Sequence, residues 1–180
     1  MNVVPLAVVL AVGTSGWLAQ DKPQEKPTCP MHEQHKVSQE DPHREGVVQR
    51  GDQVMGFSHA KTTHHFRLYA DGGSIEAAAN DLKDSASRDA IRAHFGHIVA
   101  MFAAGDFSAP MLIHAENPPG TEEMRRLRET IQYNVDNTER GARIRITTKD
   151  AVALRAVHAF LRFQITDHRT GDSTEITKVP

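Results

Sequence analysis

The chain has 180 residues, enough for one domain of ordinary size, and 39% of them are hydrophobic, as in globular proteins. Its 21 Lys and Arg against 23 Asp and Glu leave a net charge of −2, which excludes the large basic surface that nucleic-acid binding requires. Histidine is unusually frequent, with 11 copies. That excess favours metal binding or a response to pH near neutrality.

Residues 1–19 have the shape of a signal peptide. The apolar run Val3–Val12, interrupted by Pro5, precedes a short stretch of small and polar residues. No Lys or Arg precedes the run, and a cut after Ala19 would leave bulky Trp17 where a small residue is usual. An uncleaved N-terminal anchor is therefore the alternative. Both interpretations predict that the folded part lies outside the cytoplasm, in the periplasm or secreted.

Residues 20–50 are polar and show neither helical nor strand periodicity, which predicts a flexible linker. Within it, Cys29, Met31 and His32 bring together a thiolate, a thioether and an imidazole, soft ligands that favour Cu(I). Cys29 is the single cysteine, so an internal disulfide is excluded. The alternative is a chance tetrapeptide.

The CPMH string in this linker resembles the short heavy-metal-binding motif at the ends of bacterial copper-export ATPases and some efflux adaptors. The resemblance covers four residues, and Glu33 follows where that motif usually has proline. It implies that the linker captures or passes Cu(I), with a metal-transport or efflux protein as partner.

The segment Val54–Leu68 concentrates further metal ligands, namely Met55, His59, His64 and His65. Thioether and imidazole groups together suit copper, whereas imidazole alone also serves zinc, nickel and iron. The alternative is a strand that merely carries one buried and one exposed histidine.

Alternation of residue types predicts a strand over Thr62–Tyr69, with His64 on the same face as Phe66 and Leu68. His65 then lies on the other face, although a slip of one residue would exchange the two histidines. An Asp-Gly-Gly turn follows and predicts a hairpin with an alanine-rich second strand.

An amphipathic helix is predicted from about Ser87 to Ala104. Its buried stripe consists of Ile91, Phe95, Ile98 and Phe102. His94, His97 and Met101 follow one edge of that stripe, so their side chains are able to lean over one shared position. The alternative is that these histidines border the core and pack there.

The C-terminal half is predicted to contain a loop over Phe107–Gly120, a short charged helix, a second hairpin and a helix from Asp150 to about His168. The order strand, strand, helix thus occurs twice. Aligning the two long helices matches His97 to His158, a correspondence that favours a ββα duplication.

These patterns predict a single α+β domain at residues 51–172, followed by a C-terminal tail at residues 173–180. The domain has two layers, an antiparallel sheet of about four strands and two main helices on one of its faces. The sequence also permits a homodimer.

Three stretches, VMGFSHAKTTHHF, MFAAGDFSAPMLIH and FLRFQITDHRTGD, resemble a poorly characterised family of exported bacterial domains, over roughly Gly51–Asp172. The resemblance implies an extracytoplasmic domain in which these His and Met positions recur together. Some members carry the automatic name aspartate carbamoyltransferase. That activity is not expected here, because the chain has no S-T-R-T-like phosphate loop and the domain is too small.

The leading hypothesis is an extracytoplasmic copper-binding protein, acting in copper trafficking or resistance. Its candidate ligands are Met55, His59, His64, His65, His94, His97 and Met101 in the domain and Cys29, Met31 and His32 in the linker. An enzyme is less favoured, since the G-x-S-x-G, Walker and H-E-x-x-H motifs are missing from the sequence. Two alternatives are a metal-dependent or haem redox enzyme, with iron or zinc in place of copper, and a metal-free interaction domain.

Overall fold

The computed structural model describes residues 41–179. Its helices are α1 (Pro42–Met55), α2 (Ser85–Ala103), α3 (Ser108–His114), α4 (Thr121–Arg126) and α5 (Ala151–His168). Its strands are β1 (Thr62–Tyr69), β2 (Gly72–Ala79), β3 (Ile131–Asn137), β4 (Gly141–Thr148) and β5 (Ile176–Thr177). The predicted α+β class is confirmed. The predicted signal peptide or anchor and the CPMH motif lie outside the described residues.

One mixed sheet has the strand order β3-β4-β2-β1-β5. The hairpins β1-β2 and β3-β4 meet along an antiparallel β2-β4 pair, while β5 runs parallel to β1. The sheet therefore has five strands rather than the predicted four, and it is not wholly antiparallel. The fifth strand lies in the segment predicted as a tail, because a two-residue strand is too short to show periodicity.

The strand register places one row of apolar side chains on a single face of the sheet. His64 lies opposite Ala77, and Phe66 opposite Ile75, which in turn lies opposite Ile144. Both long helices pack on this face. Their core residues are Ile91, Phe95, Ile98 and Phe102 from α2 and Val157, Phe160, Leu161 and Ile165 from α5. The predicted stripe of α2 and the two-layer arrangement are thus confirmed.

Helix α1 corrects the prediction of a linker up to residue 50. Asp41 caps this helix by accepting a hydrogen bond from the backbone of His43, and Pro42 occupies its first turn. Only Val47 and Gly51 are buried, so the helix has too few apolar positions to show a helical period. Contacts with the rest of the domain, rather than its own pattern, hold it in place.

Helix α3 corrects the prediction of a loop over residues 107–120. This helix has only seven residues, too few to reveal a helical period in the sequence. Within residues 41–179, no single helix combines the length and apolar composition needed to cross a membrane. Helices α2 and α3 have that length and composition only when they are taken together, and the chain bends by 113° between them.

Two glycines provide a matched test of this fold. A methyl group at Gly73 in β2 would overlap Leu161 Cδ1 and the carbonyl oxygen of Arg67, whereas one at Gly96 in α2 would meet nothing within 4 Å. We expect Gly73→Ala to lower the free energy of unfolding by about 2 kcal/mol or more.

Gly96→Ala is the control and should raise that free energy by up to about 1 kcal/mol, because alanine is the better helix former. Urea denaturation of both variants measures the difference. Equal effects at the two positions would contradict the close approach of α5 to β2.

Candidate functional site

Two cavities share the side chains of His64 and His168. The inner cavity, of about 70 Å³, lies between the sheet and the helices, and Met55 and His94 also line it. The outer chamber, of about 200 Å³, is lined by residues of α1, of the start of β1 and of the end of α5. The two imidazole rings therefore face both spaces.

His64 occupies the position on β1 that the alternation predicted, on the face that carries Phe66. Its ring lies nearly parallel to the rings of Phe57 and His168, with centroids 5.7 Å and 6.1 Å away. Its Nε2 atom is buried and has no hydrogen-bond partner among the described residues. Such an atom normally costs about 1–3 kcal/mol of folding free energy, so its retention calls for a ligand or another explanation.

His94 and Met55 reach the inner cavity from two different helices. His94 lies three residues after Ile91 of the buried stripe of α2. Its ring meets the ring of Phe57 edge-on, with the two centroids 5.8 Å apart. Met55 is the last residue of α1, which Gly56 ends in a left-handed conformation with φ of 76°.

Burial keeps three of these imidazoles uncharged at neutral pH. It lowers the pKa of His64 and of His94 to about 4 and that of His168 to about 3, and neighbouring histidines add to each shift. The neutral imidazole is the form that coordinates metal ions. The three imidazoles thus need not lose a proton before an interaction of this kind.

The carboxylate of Asp167 joins α5 to two other helices. His114 Nδ1 on α3 donates to one oxygen at 2.5 Å, and His43 Nε2 on α1 donates to the other at 2.7 Å. Burial alone would raise the pKa of Asp167, but these hydrogen bonds lower it. The buried ring of His114 also meets the ring of His168 edge-on, at 4.9 Å.

His168 is a residue of this site that the sequence interpretation missed. It lies in the last turn of α5, three residues after the buried Ile165 and four residues after the buried Gln164. That spacing places both side chains on one helical face and was the available signal.

Several predicted ligands lie away from the inner cavity. His65 is on the opposite face of the sheet, where its Nδ1 donates to Asp172 at 2.9 Å. His59 forms a hydrogen bond with Asp52 and lines the outer chamber instead of the inner cavity. His97 is exposed, and Met101 is a half-buried residue against the core. Cys29, Met31 and His32 lie outside the described residues.

His97 and His158, which match when the two long helices are aligned in sequence, have different surroundings in the structure. His158 is buried, and its Nε2 lies 2.9 Å from the carbonyl oxygen of Tyr69 and 3.0 Å from that of Gly72. This histidine therefore closes the β1-β2 turn against α5. His97 remains exposed on α2.

Within residues 41–179, no group of three or more His, Cys, Asp and Glu side chains is placed to hold a metal ion. That set of residue types leaves out methionine. Comparisons of the chain with protein-family models, curated proteins and solved structures found no match.

The lowered pKa values predict acid sensitivity. Burial lowers the pKa of His168 in the folded chain to about 3, against 6.5 for an ordinary histidine, so protons bind preferentially to the unfolded chain. Stability is then fully present near pH 7 and is lost as the pH falls below about 6.5. Each such histidine contributes a slope of up to about 1.4 kcal/mol per pH unit.

We expect His168→Asn to lose about 2 kcal/mol less stability than the wild type between pH 7 and pH 5. Urea denaturation at both pH values measures this difference. His97→Asn is the control, because it removes an exposed histidine and leaves the three half-buried rings of His64, His94 and His168 in place. An identical loss in the wild type and His168→Asn would contradict the burial of a neutral imidazole there.

Proposed function

We propose that the domain binds copper as Cu(I) in the inner cavity, through His64, His94 and Met55. The observation that carries this proposal is the buried Nε2 of His64, which has no hydrogen-bond partner among the described residues. His64 lines a cavity that a second imidazole and a thioether also line. A metal ion would satisfy Nε2 where the described residues offer it no partner.

The charge of the cavity favours a monovalent ion. Apart from its histidines and Gln164, the lining is apolar, with residues such as Phe66 and Ile75, and none of the described residues contributes a carboxylate to it. Transfer of a charged group into such surroundings is costly, and the cost rises with the charge. Cu(I) carries one positive charge and accepts neutral imidazole and thioether ligands.

The composition and size of the cavity also support copper over the alternatives. Structural zinc sites usually take four ligands from Cys, His, Asp and Glu, whereas the proposed set depends on the thioether of Met55. A volume of about 70 Å³ suits a single ion and is far below that of the pockets that hold drug-sized ligands, so it supports an ion rather than haem.

The residues of the chain have distinct roles in this proposal. Stacking against Phe57 and Phe66 orients the ring of His64, and burial keeps it neutral. Contact with the buried ring of His114 orients His168, which forms part of the cavity wall beside His64. We further propose that the protein works outside the cytoplasm in copper trafficking or resistance, as the exported-protein pattern of residues 1–19 and the CPMH motif suggest.

Elemental analysis tests the site. The starting protein is the full chain with Cys29→Ser, Met31→Leu and His32→Asn, called the tail-silenced chain. After loading with Cu(I) and desalting, it should retain near-stoichiometric copper. Adding His64→Asn or His94→Asn should weaken Cu(I) binding by about tenfold or more, because a ligand matters at least as much as the groups around it.

The matched control for His94→Asn is His97→Asn, which removes an exposed histidine from the same helix. Thermal unfolding confirms that each variant is folded. No retained copper in the folded tail-silenced chain, or equal losses in the variants and the control, would contradict the proposed function.

The thioether of Met55 allows a separate spectroscopic prediction. Met55→Leu keeps the side-chain volume, so its cost in stability should stay below about 1.5 kcal/mol. X-ray absorption at the copper edge should show a sulfur neighbour in the Cu(I)-loaded tail-silenced chain. The signal should disappear with Met55→Leu and persist with Met101→Leu. A sulfur signal that survives Met55→Leu would exclude this residue as a ligand.

A further inference from the structure

We infer that β3 is a docking edge for a second copy of this chain, which extends the sheet by antiparallel pairing of β3 with β3. The starting point is the order of the strands. β3 is the outermost strand on one side of the sheet, and β4 is its only strand neighbour among residues 41–179. This interface goes beyond the proposed function and does not depend on copper binding.

The backbone of β3 alternates between groups that bond β4 and groups that point away from it. At the hairpin turn, the N–H of Thr138 donates to the carbonyl oxygen of Gly141 at 3.0 Å, so these two residues form a hydrogen-bonded pair. Such pairs alternate with non-bonded pairs along an antiparallel ladder. Asn134 therefore bonds β4, whereas the N–H and C=O groups of Tyr133 and Val135 point to the open side of the sheet.

The opposite edge of the sheet is closed by the chain itself. The N–H of Phe66 on β1 donates to Asp172 at 2.9 Å, and β5 pairs with Leu68 and Tyr69. Edge strands are usually protected from other chains in such a way, or by Lys, Pro or a bulge. β3 has none of these features, because its sequence IQYNVDN lacks Lys and Pro and its register with β4 is unbroken.

A second copy fits this edge because β3 is self-complementary around Asn134. A twofold axis at this residue places Tyr133 of each copy opposite Val135 of the other, and each such pair exchanges two N–H···O=C bonds. Asp136, the only charged residue of β3, then lies opposite Gln132, so no like charges meet and the amide is able to donate to the carboxylate.

The side chains on the helix face of β3 also suit this partner. Val135 has 39% of its surface exposed, which is unusual for a valine on the face that carries the core. In the paired register, the ring of Tyr133 from the second copy covers it. Aromatic and β-branched side chains directly opposite each other stabilise antiparallel pairs.

The oligomeric state tests this interface. The tail-silenced chain is used, because it lacks Cys29 and cannot form a disulfide-linked dimer. Sedimentation equilibrium should show a reversible dimer. Val135→Pro removes one outward N–H from each copy and keeps the bonds to β4, so the Kd of the dimer should rise by about tenfold or more.

Val135→Lys is a second variant that keeps the backbone N–H and places a charge in the interface, and it should also weaken the dimer. The matched control is Ile176→Lys, which changes an exposed aliphatic residue on the β5 edge and should leave the Kd unchanged. Thermal unfolding confirms that each variant is folded. If Val135→Pro does not fold, Val135→Lys decides the test.

Amide hydrogen exchange identifies the edge directly. The N–H of Tyr133 should exchange about tenfold or more slowly in the dimer than in monomeric Val135→Lys, because only the dimer gives it a hydrogen-bond partner. The N–H of Asn134 bonds β4 in both states and should change little.

Three results would overturn the inference. The first is a tail-silenced chain that is monomeric at every concentration measured. The second is a dimer that Ile176→Lys dissociates, or that neither Val135 variant weakens, since the interface would then lie elsewhere. The third is slow exchange of the Tyr133 N–H in a monomer, which would mean that residues 1–40 of the same chain cover the edge.

Discussion

The carboxylate of Asp167 is the contact on which the arrangement of this site depends. It lies in the last turn of α5 and accepts hydrogen bonds from His43 on α1 and from His114 on α3. The next residue in the chain is His168, so the turn that fixes the carboxylate also fixes one wall of both cavities. Loss of this carboxylate would leave the buried ring of His114 without its charged partner and would free one end of α1.

The neutral histidines around this contact lower the free energy of unfolding. The pKa of His64 falls to about 4 because of burial, and its Nε2 has no partner among the described residues. A leucine or phenylalanine at this position would pack with fewer penalties. Departures from good packing and polar satisfaction cluster at functional sites, where a ligand compensates for them. The proposed copper site provides that compensation through groups that are already deprotonated.

The topology explains how residues distant in sequence meet at this place. The two hairpins pair through β2 and β4, and the two long helices pack on the same face of the sheet. Met55 comes from α1, His64 from β1 and His94 from α2, so three separate elements contribute one proposed ligand each. His168, at the end of α5, lines the same cavity.

By itself the sequence determined the α+β class, both hairpins, the helices α2 and α5 and the face on which His64 lies. Those features follow from local periodicity, which each segment carries within itself. Tertiary structure alone decided that α1, α3 and β5 form, since they are too polar or too short to show a period.

Tertiary structure also decided which histidines lie close together. His94 and His97 lie on one edge of the same helix, yet only His94 faces the cavity, and His168 joins it from the far end of the chain. Side-chain neighbours across elements depend on how the helices pack on the sheet, and no spacing within one segment encodes that.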